Sequence, residues 1–324
     1  MRSRGTAASP LPQRQGVDAT RVSPPVTGSW PTVGAYLVDR LSGITPADVQ
    51  ALFAQGRVVA ADGRALAMGE PYAPGATVWV DRPLADEVPV PFPLLVLHRD
   101  ERLVVVDKPH FLASMPRGKH VVESALARAR HELDLPELAL AHRLDRLTAG
   151  VLVLTTQRRY RGAYQGVFAG RAAQKTYLAV APVHPDLQLP QLVRSHLRKT
   201  RGSLQVEVLR REAPNCETRV ELLGVERRGA EGAHGLYRLT PVGGRTHQIR
   251  RHLSDLGIPI VGDPLYPVVH EVAPDDFTSP LQLLALRLAF VDPVDGAPRV
   301  FTSRRALDGW LGEMPTGEGL PGLA

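Results

Sequence analysis

Three short segments of this chain hold residue types and spacings able to do chemistry. The first is His142-Arg143-Leu144-Asp145-Arg146-Leu147-Thr148-Ala149-Gly150, which runs directly into the apolar stretch Val151-Leu152-Val153-Leu154. A carboxylate at the mouth of a buried strand sits on a rigid edge, where packing behind it can hold a catalytic group in place. Between two arginines, Asp145 is a candidate nucleophile or base, and the same pattern also fits a surface ion-pair loop. The second segment runs from Gly244 through Arg245, Thr246, His247, Gln248, Ile249 and Arg250 to Leu253, a Gly-rich turn entering a helix that stops at Gly257. Its periodicity puts Ile249, Leu253 and Leu256 on one face and His247 and Arg250 on an adjoining one. A cation at such a helix start can hold a phosphate or fix a carboxylate, or can simply face water. The third is Lys175-Thr176-Tyr177-Leu178-Ala179-Val180, a strand whose alternation places Lys175, Tyr177 and Ala179 on one face. Tyr177 offers a π-face for a base, or is an ordinary core tyrosine.

These segments need a scaffold. Apolar runs bounded by turn signals predict strands at 94–97, 103–106, 151–154, 176–180, 206–209, 218–223, 237–240 and 286–290, and helical periodicity predicts helices at about 122–133, 160–169 and 246–256. Many short strands with few helices point to an α+β fold with a largely antiparallel sheet. Upstream, residues 33–82 read as a small two-helix, short-strand module. In it Thr45-Pro46 opens a helix, and Asp62-Gly63 and Pro74-Gly75 make turns. A Pro-rich stretch at 83–93 reads as an extended, semi-rigid linker between this module and a large domain at 94–313. Residues 1–29 lack a hydrophobic period and are expected to be a disordered tail, and 314–324 a flexible one.

Composition narrows the classes. The chain has 324 residues, a net charge of +6 and a single cysteine, so a disulfide scaffold is excluded. No stretch approaches the ~18 apolar residues that a membrane-spanning helix needs. Residues 1–29 carry four arginines and no continuous apolar segment, so they do not read as a secretory signal, and the cytoplasm is the expected location. The charge is uneven, −3 over 31–93 against +6 over 94–324, so a polyanionic partner would meet mainly the large domain. Within that domain Arg194, Arg198, Lys199 and Arg201 form a basic cluster, either a phosphate contact or a solvated loop.

The three segments, in this order, resemble the RluA family of RNA pseudouridine synthases. The signature HRLDxxTSG of that family stands here as HRLDRLTAG. Its KPxGLxxxP mark is similar to 108–116, KxYxA to 175–179, TGRTHQIRVH to 243–252 and GxPIxGDxxY to 257–266. The resemblance covers about residues 94–303. It implies a pseudouridine synthase core, a mixed and mostly antiparallel sheet with a central cleft, and Asp145 as the catalytic carboxylate. It further implies that Tyr177 packs on the target base, that Arg250 forms a salt bridge orienting Asp145, and that Arg143 helps to displace the base from its stack. Lys175, Arg245 and His247 join Arg143 as substrate-binding residues in support. Ala149, Gly243, Arg251 and Leu284 depart from the usual Ser, Thr, Val and His, which bears on substrate contacts more than on the reaction. The module at 33–82 is similar to an S4 RNA-binding domain, although its acidic balance weakens attraction to phosphate.

The implied reaction breaks the N1–C1′ bond of a uridine, turns the uracil and joins C5 to C1′. That needs no redox partner, metal or other cofactor, in keeping with a sequence free of Cys clusters, HExxH and phosphate-loop patterns. A stacked uridine must first be extruded, and loops of ribosomal or transfer RNA are the less costly targets. Asp145 then either attacks C1′ or removes a sugar proton. The expected protein is thus a cytoplasmic, monomeric RNA-modifying isomerase. Two other readings stay open: an RNA-binding protein without activity, and an Asp-nucleophile phosphatase suggested by the Asp145–Thr148 spacing. The second lacks the further Asp two residues on, where Leu147 stands.

Overall fold

A computed structural model describes residues 9–227 and 232–315. The chain divides into two compact units, Met1–Asp86 and Glu87–Ala324. In the first, helices α1 (Val33–Arg40) and α2 (Pro46–Ala54) pack with a three-stranded antiparallel sheet in the order β1 (Thr20–Val22), β3 (Val78–Val80), β2 (Val58–Ala60). Thr32 caps α1 by accepting from the Ala35 N–H. Thr45 and Asp48 close a reciprocal capping box on α2, with Pro46 in the first turn. Leu37, Val49, Leu52, Val58 and Val80 form the buried core beneath them.

Strand β1 lies inside the segment that composition marks as disordered. Its backbone pairs with β3 (Thr20 opposite Val80, Val22 opposite Val78), and Ala19 is buried with Val59 and Trp79. The sheet edge supplies the hydrogen bonds here, so the strand forms without any hydrophobic period of its own. Of the expected tails, residues 1–8 and 316–324 lie outside the described residues. The 83–93 segment is extended, but from Glu87 onward it is not a free connector. The Glu87 carboxylate accepts from the N–H groups of Val121, Val122 and Glu123, and Arg128 donates to the carbonyls of Val90 and Phe92.

The second unit is α+β. Its ten-stranded sheet runs β4 (Leu95–Arg99), β5 (Leu103–Lys108), β7 (Ala149–Thr155), β14 (Leu283–Val291), β8 (Gln174–Pro182), β13 (Ala233–Val242), β12 (Cys216–Arg227), β9 (Gln191–Ser195). Strand β15 (Pro298–Thr302) adds to β14 and β6 (Ala139–Leu140) to β7. All pairings are antiparallel except β14 with β7, so the sheet is mixed. Helices α3 (Ala125–Leu133), α4 (Arg158–Ala169) and α5 (Gln248–Asp255) cover it. α3 and α5 pack into the core around Leu152, Leu154, Leu239 and Leu253, while Tyr164 of α4 is buried with Leu103, Val153 and Phe290. A separate hairpin pairs β10 (Leu197–Arg198) with β11 (Glu207–Val208). Among the described residues no helix is long and apolar enough to cross a membrane.

Candidate active site

One row across three strands brings the sequence segments together. Gly150 at the start of β7 is paired with Ala285 of β14, and Ala285 is paired with Tyr177 of β8. The approach at the first step is close. Gly150 has φ +114°, and a Cβ there would sit 2.2 Å from the Ala285 carbonyl oxygen, so only glycine fits. The turn that carries Asp145 is thereby held one strand away from Tyr177.

That turn is clamped from 108–114. Lys108 is fully buried and its Nζ donates to the carbonyls of Pro109, Leu112 and Arg146, the last at 3.1 Å. Burial pushes its amine well below the usual lysine range. The Ser114 hydroxyl donates to the Leu144 carbonyl (2.7 Å) and accepts from the Leu144 N–H (3.0 Å), and His110 Nδ1 meets the Leu147 carbonyl at 2.7 Å. The backbone on both sides of Asp145 is therefore fixed by side chains of a segment that sequence reading left without a role. Its signal was the Lys-Pro pair of the 108–116 match.

Helix α5 supplies the facing wall. Gln248 Nε2 donates to the Glu217 carbonyl and the Thr218 hydroxyl, and His252 Nδ1 meets the same hydroxyl at 2.9 Å, which docks α5 on β12. Arg250, 2% exposed, projects from this helix. Its Nη1 lies 3.6 Å from Asp145 Oδ2, while its Nε and Nη2 donate to Asp263 at 2.8 and 2.6 Å. The implied Asp145–Arg250 pair is thus present but long, and the tight partner is Asp263. That aspartate stands in the 257–266 match without having been singled out. The Arg250 guanidinium is held above its ordinary value, its burial outweighed by hydrogen bonding to and the charge of Asp263, with Asp145 adding to them.

Asp145, Tyr177 and Arg250 line a single cavity of about 520 Å³, together with Arg143, Lys175, Arg245 and His247. Tyr177 is half-buried, and its hydroxyl makes no hydrogen bond among the described residues. Burial, helped by the Asp145 charge, pushes that phenol up. Arg143 is exposed, with Met115 Sδ 4.0 Å from Nη1. Lys175 Nζ donates to the Gly243 carbonyl at 2.8 Å, and burial lowers its amine. His247, at φ +54°, caps α5 and meets the Tyr266 hydroxyl at 3.1 Å; burial chiefly lowers its imidazole to about 4. His142 accepts from the Val153 N–H and stacks on Phe168, 4.4 Å between centroids, and burial lowers it to about 3. The basic cluster at 194–201 is not in the cavity lining. Arg194 and Arg198 pair with Glu217 and Glu207, and Lys199 donates to the carbonyls of Ser203 and Leu204.

The architecture is that of a pseudouridine synthase domain. A human RNA pseudouridylate synthase domain-containing protein 1 structure superposes with a TM-score of 0.53, covering 66% of this chain and 84% of its own at 22% identity. Residues 102–255 match the RNA pseudouridylate synthase family. RNA pseudouridine synthase 1 of Oryza sativa subsp. japonica is 31% identical over 265 residues, 68% of this chain and 74% of that one. The dual-specificity RNA pseudouridine synthase RluA of Haemophilus influenzae is 30% identical over 226 residues, covering 64% and 92%. This chain belongs to the RluA family of RNA pseudouridine synthases, isomerases that act on RNA.

Proposed function

We propose that Asp145 is the carboxylate that rearranges the glycosidic bond of an extruded uridine, with Tyr177 against the base and Arg250 orienting the acid. The observation that carries this is the convergence of Asp145, Tyr177 and Arg250 on one cavity, with Asp145 3.6 Å from a guanidinium that Asp263 holds rigidly. A buried bidentate pair fixes the guanidinium plane, so its third nitrogen offers Asp145 a defined direction instead of a mobile countercharge. The base, flipped out at a cost of a few kcal/mol, would find the aromatic face of Tyr177. In this reading Asp145 attacks C1′ or takes a sugar proton.

The substrates proposed are uridines in ribosomal and transfer RNA. A ribosomal large subunit pseudouridine synthase D of Xanthomonas campestris, 30% identical over 238 residues, supports the ribosomal part of that reading. Release of the C5 hydrogen accompanies the isomerisation, so tritium release from C5-labelled bulk RNA measures it. Asp145→Asn is expected to abolish release while RNA binding persists. A variant that still releases tritium sinks the assignment.

A further inference from the structure

Helix α4 ends in an arrangement that runs against backbone preference. Its C-cap is Gly170 at φ −77°, a conformation open to any residue. The next residue, Arg171, takes φ +60°, the left-handed conformation that glycine ordinarily occupies after a helix. The motif is complete, with the Arg171 N–H bonded to the Phe168 carbonyl and the Ala172 N–H to the Val167 carbonyl. The glycine thus stands one position early, and a residue with a Cβ is kept where it strains the backbone. Strain of this kind persists where a side chain is needed.

The Arg171 side chain reaches the cavity. Its Nη2 donates to the Asn215 carbonyl at 3.2 Å, and its Nε lies 3.9 Å from the point a Cβ on Gly243 would occupy. Lys175 Nζ lies 3.5 Å from the corresponding point on Gly244, and Arg245 follows in the chain. Arg171, Lys175, Gly243, Gly244 and Arg245 all line the cavity of about 520 Å³. None of the three cations has a carboxylate within ion-pair distance among the described residues. Three uncompensated cations around a turn without side chains leave open space beside exposed backbone, and an anion is the group that answers them. The cavity is of a size that encloses a drug-sized ligand, roughly 300–1,000 Å³, and so has room beyond one flipped base.

We propose that Arg171, Lys175 and Arg245, gathered about the Gly243–Gly244 turn, form a subsite for an RNA backbone phosphodiester next to the target uridine. The inference rests on the pseudouridine synthase reading and adds a specific contact to it. A phosphodiester presents two non-bridging oxygens, which suit the forked donors of arginine. Holding it would fix the strand on one side of the extruded nucleotide.

The test uses the full chain and a stem–loop RNA spanning a uridine that the unmodified enzyme converts. Conversion of that RNA belongs to the earlier reading, so the two fail separately. Single neutral methylphosphonate linkages are placed in turn on each side of the target. One linkage is expected to cost the unmodified enzyme about tenfold in kcat/KM, and Arg171→Gly to lose about the same on native RNA. The variant should then be indifferent to that linkage, and its log–log salt slope shallower by about one. Because glycine relieves the left-handed position, its melting temperature should equal or exceed that of the unmodified protein. An unchanged kcat/KM and salt slope, or a variant still penalised by the neutral linkage, overturns the subsite. A lower melting temperature overturns the strain argument behind it.

Discussion

Asp263→Asn tests how the site is held. The Asp263 side chain is fully buried, and its two oxygens are not equivalent. Oδ1 accepts from Arg250 Nη2 at 2.6 Å and from the backbone N–H groups of Leu265 and Tyr266 at 2.9 and 3.2 Å, while among the described residues Oδ2 accepts only from Arg250 Nε. An asparagine must keep its oxygen at the three-donor position, so its NH2 would face the Arg250 Nε–H, donor against donor. Breaking a buried pair by removing one charge costs about 3–5 kcal/mol, since the remaining guanidinium stays buried and under-compensated. For a unit of this size, about 2–4 °C per kcal/mol turns that into a fall of about 6–20 °C in melting temperature. Arg250 is also released toward Asp145, its remaining carboxylate neighbour at 3.6 Å, so the direction of their contact should change. Differential scanning calorimetry gives the stability, and tritium release at a temperature where the variant is still folded gives the rate. A fall of less than about 2 °C together with an unaltered rate would refute the claim that Asp263 anchors Arg250.

Two further perturbations follow from the same geometry. Gly150→Ala would drive a Cβ to within 2.2 Å of the Ala285 carbonyl at φ +114°, so a loss of about 4 kcal/mol or more is expected. A soluble, active Ala variant with an unchanged urea midpoint would contradict it. The third concerns pH. Burial lowers His110 and His252 to about 4 and His142 to about 3, whereas the unfolded chain titrates its histidines near 6.5. Below about 6.5 the unfolded chain therefore binds more protons than the folded one, and stability falls as the pH drops toward 4. It is fully present above 6.5. The slope is at most about 1.4 kcal/mol per histidine per pH unit. Urea melts at pH 7.5 and 5.5 measure it, and His252→Gln should flatten the dependence, since His252 loses its burial advantage between Ser195 and Thr218. Equal slopes in the two proteins would remove His252 from the account.

What the sequence made legible is what local patterning controls. The strand after Asp145, the alternation that turns Tyr177 to the cavity and the helix carrying Arg250 are each read within a dozen residues, and each is present. Strands β1, β9 and β15 were missed because their order comes from neighbours. β9 alternates between half-buried and exposed positions, β15 opens on a proline, and both are fixed by hydrogen bonding to β12 and β14. The fastening of the 83–93 stretch was hidden for a similar reason. Proline spacing sets its extended backbone, but the Glu87 and Arg128 contacts that fasten it are invisible in its own composition.

The site itself divides along the same line. Residue types named the candidates, yet their assembly depends on β14, which pairs in parallel with β7 at Gly150 and antiparallel with β8 at Tyr177 through the single residue Ala285. No local period records that neighbour relation. Nor could spacing show that Arg250 is committed first to Asp263 and only then to Asp145, because the choice is made by distances between separate elements. An aspartate beside an arginine in sequence is ambiguous between an exposed ion pair and a working acid. The exposed pairs here, Arg198 with Glu207 for instance, have both partners in solvent and are worth little. The surroundings of Asp145 are different: its guanidinium neighbour is buried and held by Asp263, and this pre-set geometry is what supports the proposal that it is the working acid.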